Sequence, residues 1–197
     1  MAIDHFPTPP DICRAAFDKD FLVLERFDNL TALDAGCGSG VWGHALMGKY
    51  PFAEVDGVDV RVIPKPHGFN HFERCNFFEY THTPSDAGYD VVIGNPPYST
   101  AEDWIRHSWQ LLSPEGGWMI FLLRLAFLEG QGRGKGLWRE LPPAHVSVLS
   151  RRPSFTGNGV SDPRTAYGVF YWQRNRFFGG LRKQMPHTFD WLDWNES

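Results

Sequence analysis

The residues best suited to chemistry stand in GNPPYS, residues 94 to 99. Pro96 and Pro97 have a fixed φ and no amide hydrogen, so the loop should stay extended with its carbonyls turned toward a substrate. Asn95 adds a side-chain carbonyl. Two acceptors converging on one planar amine, from Asn95 and Pro96, would bind its two hydrogens and favour pyramidal geometry at nitrogen. The nitrogen lone pair is then directed at an incoming electrophile. Tyr98 offers a flat ring on which a planar base can stack, worth about 1 to 3 kcal/mol per base. Pro97 is expected to border that substrate. No Ser/His/Asp or Cys/His arrangement competes for a catalytic role.

A second motif, LDAGCGSG at residues 33 to 40, supplies the complementary function. Gly36, Gly38 and Gly40 alternate with single residues, and Val41 stands where a dinucleotide fold would want its third glycine. Glycines at such a turn let the backbone bend sharply and approach a ligand closely. Nineteen residues beyond Gly40, Asp59 ends the run GVDV. A carboxylate at a strand end there can accept both hydroxyls of a ribose. Asp56 is the weaker choice because it precedes the strand end.

The elements that must position these groups are visible as alternation. Apolar runs such as TALDAG, AEVDGVDV, YDVVIG, GGWMIFLL, HVSVLS and TAYGVFYW are separated by helix-like stretches, notably VWGHALMGKY and AEDWIRHSWQLL. Strands alternating with helices imply crossover units and a mostly parallel sheet. Trp104, Ile105, Trp109 and Leu112 recur at helical spacing. Thr8 is expected to cap a helix whose first turn takes Pro9 and Pro10. HFERCNFF is expected to supply the third strand. NPPY then falls at the carboxyl edge of the fourth strand, where open α/β sheets bind ligands.

In this context the chain resembles the class I S-adenosylmethionine-dependent methyltransferases. The resemblance implies a Rossmann-like α/β fold with a mostly parallel seven-stranded sheet, an antiparallel last strand and helices on both faces. It implies S-adenosyl-L-methionine as cofactor, with Asp34 and the Gly36 to Gly40 loop around the methionine moiety and Asp59 on the ribose. FPTPP, carrying Pro7, Thr8 and Pro9, looks like the segment that closes the methionine pocket in the amino-methylating branch. Asn76 stands where the family often has Asp; it would bond the adenine amine, with Phe77 packing on the ring. NPPY is similar to the signature of enzymes that methylate planar nitrogen, either adenine N6 in nucleic acid or a protein glutamine amide.

Composition bounds these readings. The 197 residues, 42% hydrophobic, suit one domain. WMIFLL is too short to cross a bilayer and MAIDHFPTPP lacks signal-peptide character, so a cytoplasmic protein is expected. Three cysteines without a CxxC pair suggest reduced thiols, and eight histidines show no metal-ligand spacing.

Net charge is -4, yet residues 131 to 183 hold ten Lys/Arg against two acids, whereas the first 130 hold nine against 18. Such segregation allows one basic face, as polyanion binding requires, and equally a merely solvated surface. An irregular Gly/Pro/Arg-rich segment at about 124 to 165 would face the substrate. Within it, FLEGQGRGKGLW and the PPAHVSVLSRRPSF stretch are similar to the second half of small stand-alone adenine-N6 DNA methyltransferases of phages and prophages. That resemblance implies DNA as partner and a flipped adenine held between Tyr98 and a second group, for which Phe155 is the choice. Arg133, Lys135, Arg151 and Arg152 are then expected on phosphates. RNA adenine, a glutamine amide, or binding without turnover remain the alternatives. Trp191 and Trp194 in the acidic tail would either pack on the core or form a self-association surface, and packing is the expectation.

Overall fold

A computed structural model describes residues 7–22, 24, 29–84, 87–155, 164–174 and 187–193. Strands β1 (Thr31–Ala35), β2 (Glu54–Val58), β3 (Phe72–Glu73), β4 (Val91–Gly94), β5 (Gly117–Arg124), β6 (His145–Leu149), β7 (Tyr167–Arg174) and β8 (Thr188–Leu192) form one eight-stranded sheet. Helices α1 (Pro10–Phe17), α2 (Val41–Lys49), α3 (Ala101–Leu111), α4 (Gln131–Lys135) and α5 (Leu137–Glu140) accompany it. The spatial order is β3-β2-β1-β4-β5-β7-β6-β8. All pairings are parallel except those of β7, which runs antiparallel to both β5 and β6.

The parallel sheet was legible because its strands are buried on both faces and read as continuous apolar runs. Period-two alternation then divides each strand between two cores. Ala32, Val91, Ile93, Trp118 and Ile120 face one cluster with α1 and α2, while Leu33, Val92, Met119 and Phe121 face the other with α3. Trp118 and Phe121 are essentially inaccessible, and each such large apolar side chain contributes about 1.5 to 3 kcal/mol.

Five expectations need correction. The sheet has eight strands rather than seven: β8 adds to the edge, parallel to β6, with Asp190 held by Lys19 Nζ at 2.8 Å. Thr8 caps nothing. Pro9 precedes the first turn of α1 and makes no side-chain cap, while the buried Thr8 hydroxyl accepts from Trp42 Nε1 at 3.3 Å. The third strand is only Phe72–Glu73, because Asn76 Oδ1 accepts the Phe78 amide and turns Phe77–Glu79 into a 3-10 turn. The glycine-rich run after β5 is helical in part. Gly134 and Gly136 amides donate to the Gly130 and Gly132 carbonyls, and Arg133 Nε ties the segment to the Phe127 carbonyl at 2.8 Å. Lastly, Trp191 does not pack on the core; it is 66% exposed beside Phe189 at 68%. Trp194 and Phe6 lie outside the described residues.

No helix among the described residues is long and apolar enough to cross a membrane. Cys13, Cys37 and Cys75 are free thiols.

Candidate active site

The carboxyl ends of β1, β2 and β4 open into a cavity of about 450 Å³. The turn after β1 forms its floor. Gly36, Gly38 and Gly40 all adopt left-handed backbone, with φ of 67°, 54° and 81°. At Gly38 the close approach is real: a Cβ would stand 3.0 Å from the Arg61 guanidinium. Gly94 serves differently, since a Cβ there would meet the Ala35 carbonyl at 2.5 Å. Its absence lets the end of β4, and hence Asn95, lie close against β1.

Of the expected cofactor residues, Pro7, Thr8, Gly36, Gly38, Asp59, Asn76 and Phe77 line this cavity, together with Asn95 and Pro97 of the NPPY loop. Asp59 is 4% exposed, and its carboxylate accepts from Gly38 N–H at 2.9 Å, Arg61 N–H at 2.9 Å, Arg61 Nε at 2.9 Å and Arg61 Nη2 at 2.7 Å. Burial alone would raise this carboxyl, but the Arg61 and Gly38 bonds outweigh it and hold Asp59 below the usual carboxylate range. It is a ready anion at the strand end.

Three expected residues act from behind the cavity instead of in its wall. Asp34 is 1% exposed and accepts the Gly43 amide at 2.9 Å, so it holds the first turn of α2 against β1. Burial drives its carboxyl well above the ordinary value, which the Gly43 bond only partly offsets. Gly40 precedes the first turn of α2, and Pro9 that of α1. Asp56 is spent elsewhere, accepting Tyr89 Oη at 2.8 Å and the His71 amide at 3.0 Å.

The aromatic wall differs from expectation. Phe77 is 4% exposed and stacks on Trp104 of α3 with centroids 4.2 Å apart at 25°. Phe78, 41% exposed, presents the more accessible ring to the cavity. Arg61, Trp42, Phe78, Thr100 and Trp104 are site residues that sequence reasoning missed. Arg61 carried a signal, a cation two residues past the acid; the others depend on how α2, α3 and the 3-10 turn pack.

The NPPY loop separates this cavity from a second one of about 300 Å³. Pro96 is buried, and the Pro97 carbonyl accepts the Thr100 amide at 3.1 Å, so it closes a turn instead of facing substrate. Tyr98 lines the second cavity along with Arg124 and Arg133. The Arg124 guanidinium sits over the Tyr98 ring at 4.6 Å, and Tyr98 contacts the buried Tyr167 ring at 5.8 Å. Phe155 packs edge-on to that same Tyr167 at 5.1 Å, so it joins Tyr98 in one aromatic cluster through Tyr167.

The basic segment is partly consumed by the fold. Arg174 Nη1 donates to the Trp109 and Leu112 carbonyls, and Arg133 donates to those of Phe127 and Glu129. Lys135, Arg139, Arg151 and Arg152 are exposed. Arg176, Arg182 and Lys183 lie outside the described residues. No group of three or more His, Cys, Asp or Glu among the described residues is arranged to hold a metal ion.

No protein-family model matches the chain. It is 35% identical over 85 residues to a protein-methionine methyltransferase, laeA, of Emericella nidulans, covering 43% of this chain and 18% of that protein. It is 28% identical over 129 residues to the ribosomal RNA small subunit methyltransferase C of Aliivibrio fischeri, covering 57% and 38%. The chain thus spans well under half the length of these relatives. Among solved structures, the methyltransferase subunit of a type I restriction-modification system from Streptococcus thermophilus superposes with a TM-score of 0.65 at 19% identity, covering 87% of this chain and 45% of that one. The plantazolicin methyltransferase BpumL in complex with SAH gives 0.54 at 12% identity, covering 84% and 85%. Sheet order, glycine turn and superposition agree: the chain has the fold of the class I S-adenosylmethionine-dependent methyltransferases.

Proposed function

We propose that this protein transfers a methyl group from S-adenosyl-L-methionine to the N6 amine of adenine in DNA, acting on a base turned out of the duplex. The observation that carries the reading is that Asn95, at the end of β4, borders the same cavity as Gly38 and Asp59. A nucleotide-type cofactor and a planar amine can therefore meet at one wall.

The cavity fits the cofactor on its own chemistry. Asp59 offers a charged acceptor for ribose hydroxyls, with Arg61 yielding part of the carboxylate, and Gly38 leaves the backbone open to close approach. Asn76, Phe77 and Phe78 suit an adenine ring, and Pro7 and Thr8 suit the methionine end. When bound, S-adenosyl-L-methionine supplies an activated methyl group with a good leaving group. The chain's own work is then alignment and charge stabilisation. The Asn95 side-chain carbonyl and the Pro96 carbonyl accept the amine hydrogens, and Tyr98 stacks on the base. No strong general base is needed, since alkylated nitrogen becomes acidic and releases its proton to water.

DNA is favoured over other substrates by the order FPTPP, GxGxG, NPPY and by the exposed cations Lys135, Arg151 and Arg152. The test is expression in cells lacking adenine methylation, digestion of genomic DNA to nucleosides, and mass spectrometry, with Asn95→Ala alongside. N6-methyldeoxyadenosine is expected from the wild type and is lost in the variant. Unmodified DNA together with N6-methyladenosine in RNA or a methylated glutamine amide in protein would transfer the activity to those substrates.

A further inference from the structure

We infer that the cavity of about 300 Å³ beside Tyr98 is an anion subsite for one phosphodiester of the substrate strand, with Arg124 as its principal ligand. The inference rests on the nucleic-acid reading above.

The cavity lies between the NPPY loop, the end of β5 and the turn that follows it. Tyr98, Ser99, Arg124, Phe127 and Arg133 are among its walls, and no carboxylate side chain is. Two cations thus border one small space. Neither makes an ion pair among the described residues.

The two guanidiniums differ in how they are held. Arg133 is fixed by bonds from Nε and Nη2 to the Phe127 and Glu129 carbonyls and lies over the Phe127 ring at 4.8 Å. It is a positioned charge with most donors spent. Arg124 is exposed and braced over Tyr98, and its side-chain N–H donors meet no acceptor among the described residues. An unfilled planar fork suits the two free oxygens of a phosphodiester, and bracing against a ring lowers the entropy lost on binding.

Distance favours a nucleotide over an acidic peptide. Tyr98 is three residues from Asn95, so their Cα atoms lie within about 10 Å of each other. That separation is comparable with the span of one nucleotide. A flat ring beside an unfilled guanidinium also matches the alternation of base and phosphate, whereas a carboxylate-bearing peptide would use only the cation.

The test uses fluorescein-labelled adenine-containing duplexes, and RNA of the same sequence, with the full-length wild type, Arg124→Gln, and Arg74→Gln as an exposed-cation control at the β3 edge. Arg124→Gln is expected to weaken duplex binding about tenfold and to reduce the slope of log affinity against log salt by about 0.9. Affinity for S-adenosyl-L-methionine should stay unchanged. Single methylphosphonate linkages should reveal one phosphate whose neutralisation costs the wild type affinity but costs Arg124→Gln nothing. An unchanged slope and an unchanged methylphosphonate profile would overturn the subsite while leaving the substrate reading intact. The same pattern on RNA alone would support the subsite with RNA as its source. No wild-type affinity for either nucleic acid would overturn both.

Discussion

The two cavities flanking the NPPY loop are built on opposite principles. The larger is walled by Trp42, Phe78 and Trp104, and its acid, Asp59, is already matched to Arg61 and to a backbone amide. The smaller is bordered by cations that no carboxylate neutralises among the described residues. One side is therefore satisfied within the protein and selects by shape. The other borders two cations with no described carboxylate beside them, which is the reason we assign it an anion. One short loop borders both, because Asn95 and Pro97 face one cavity while Tyr98 faces the other.

That contrast can be broken most forcefully from the larger side. Trp104 is 8% exposed, stacks on Phe77 and borders the larger cavity, so Trp104→Ala should cost about 3 to 5 kcal/mol of stability by urea unfolding. A cost near zero would mean that this wall is not part of the core. At the shared loop, Asn95→Ala should lower kcat/KM by about 10² to 10³, the scale found when one positioned polar group is removed from a reacting centre. Cofactor affinity, measured by calorimetry, should change little.

Asp59→Ala should weaken S-adenosyl-L-methionine binding about tenfold to a hundredfold, through the loss of charged acceptors, without altering the salt dependence of DNA binding. A change in the salt slope would show that the two cavities do not work independently.

The smallest effect concerns Asp34. Its native carboxyl titrates above the unfolded one, so both states hold the proton below about pH 4, and above that the unfolded chain ionises first. Stability contributed at this position therefore falls as pH rises from about 4 toward the native value. Asp34→Asn can keep an acceptor for Gly43 and has no such loss. The melting temperature of the variant relative to wild type should climb between pH 4 and 8, by about 2 to 4 °C per kcal/mol. Parallel curves would refute the argument.

How much was legible follows from which forces are local. LDAGCGSG and GVDV announced a sharp turn and a strand-end acid because left-handed backbone and a terminal carboxylate leave residue-type signatures, and the Gly38 amide does bond Asp59 at the cavity wall. The helix AEDWIRHSWQLL was legible from its period. GQGRGKG was not, since four glycines disfavour a helix; Arg133 bonding to the Phe127 and Glu129 carbonyls helps hold it, and that contact is a product of the fold. Trp191 was misjudged for a similar reason. Alternation on β8 turns Asp190 toward Lys19 and leaves Phe189 and Trp191 on the outer face.

By itself the sequence determined the class of sheet, the glycine turn, the strand-end acid and the rigid NPPY loop, because each depends on backbone preference or short-range periodicity. Only the tertiary structure decided that Asp34 braces α2 while Asp59 borders the cavity, and that Arg124 comes to rest over Tyr98. Those pairings join different elements or set the accessibility of neighbouring residues. Nothing in local sequence fixes which charges end up beside which rings until the sheet has ordered its strands.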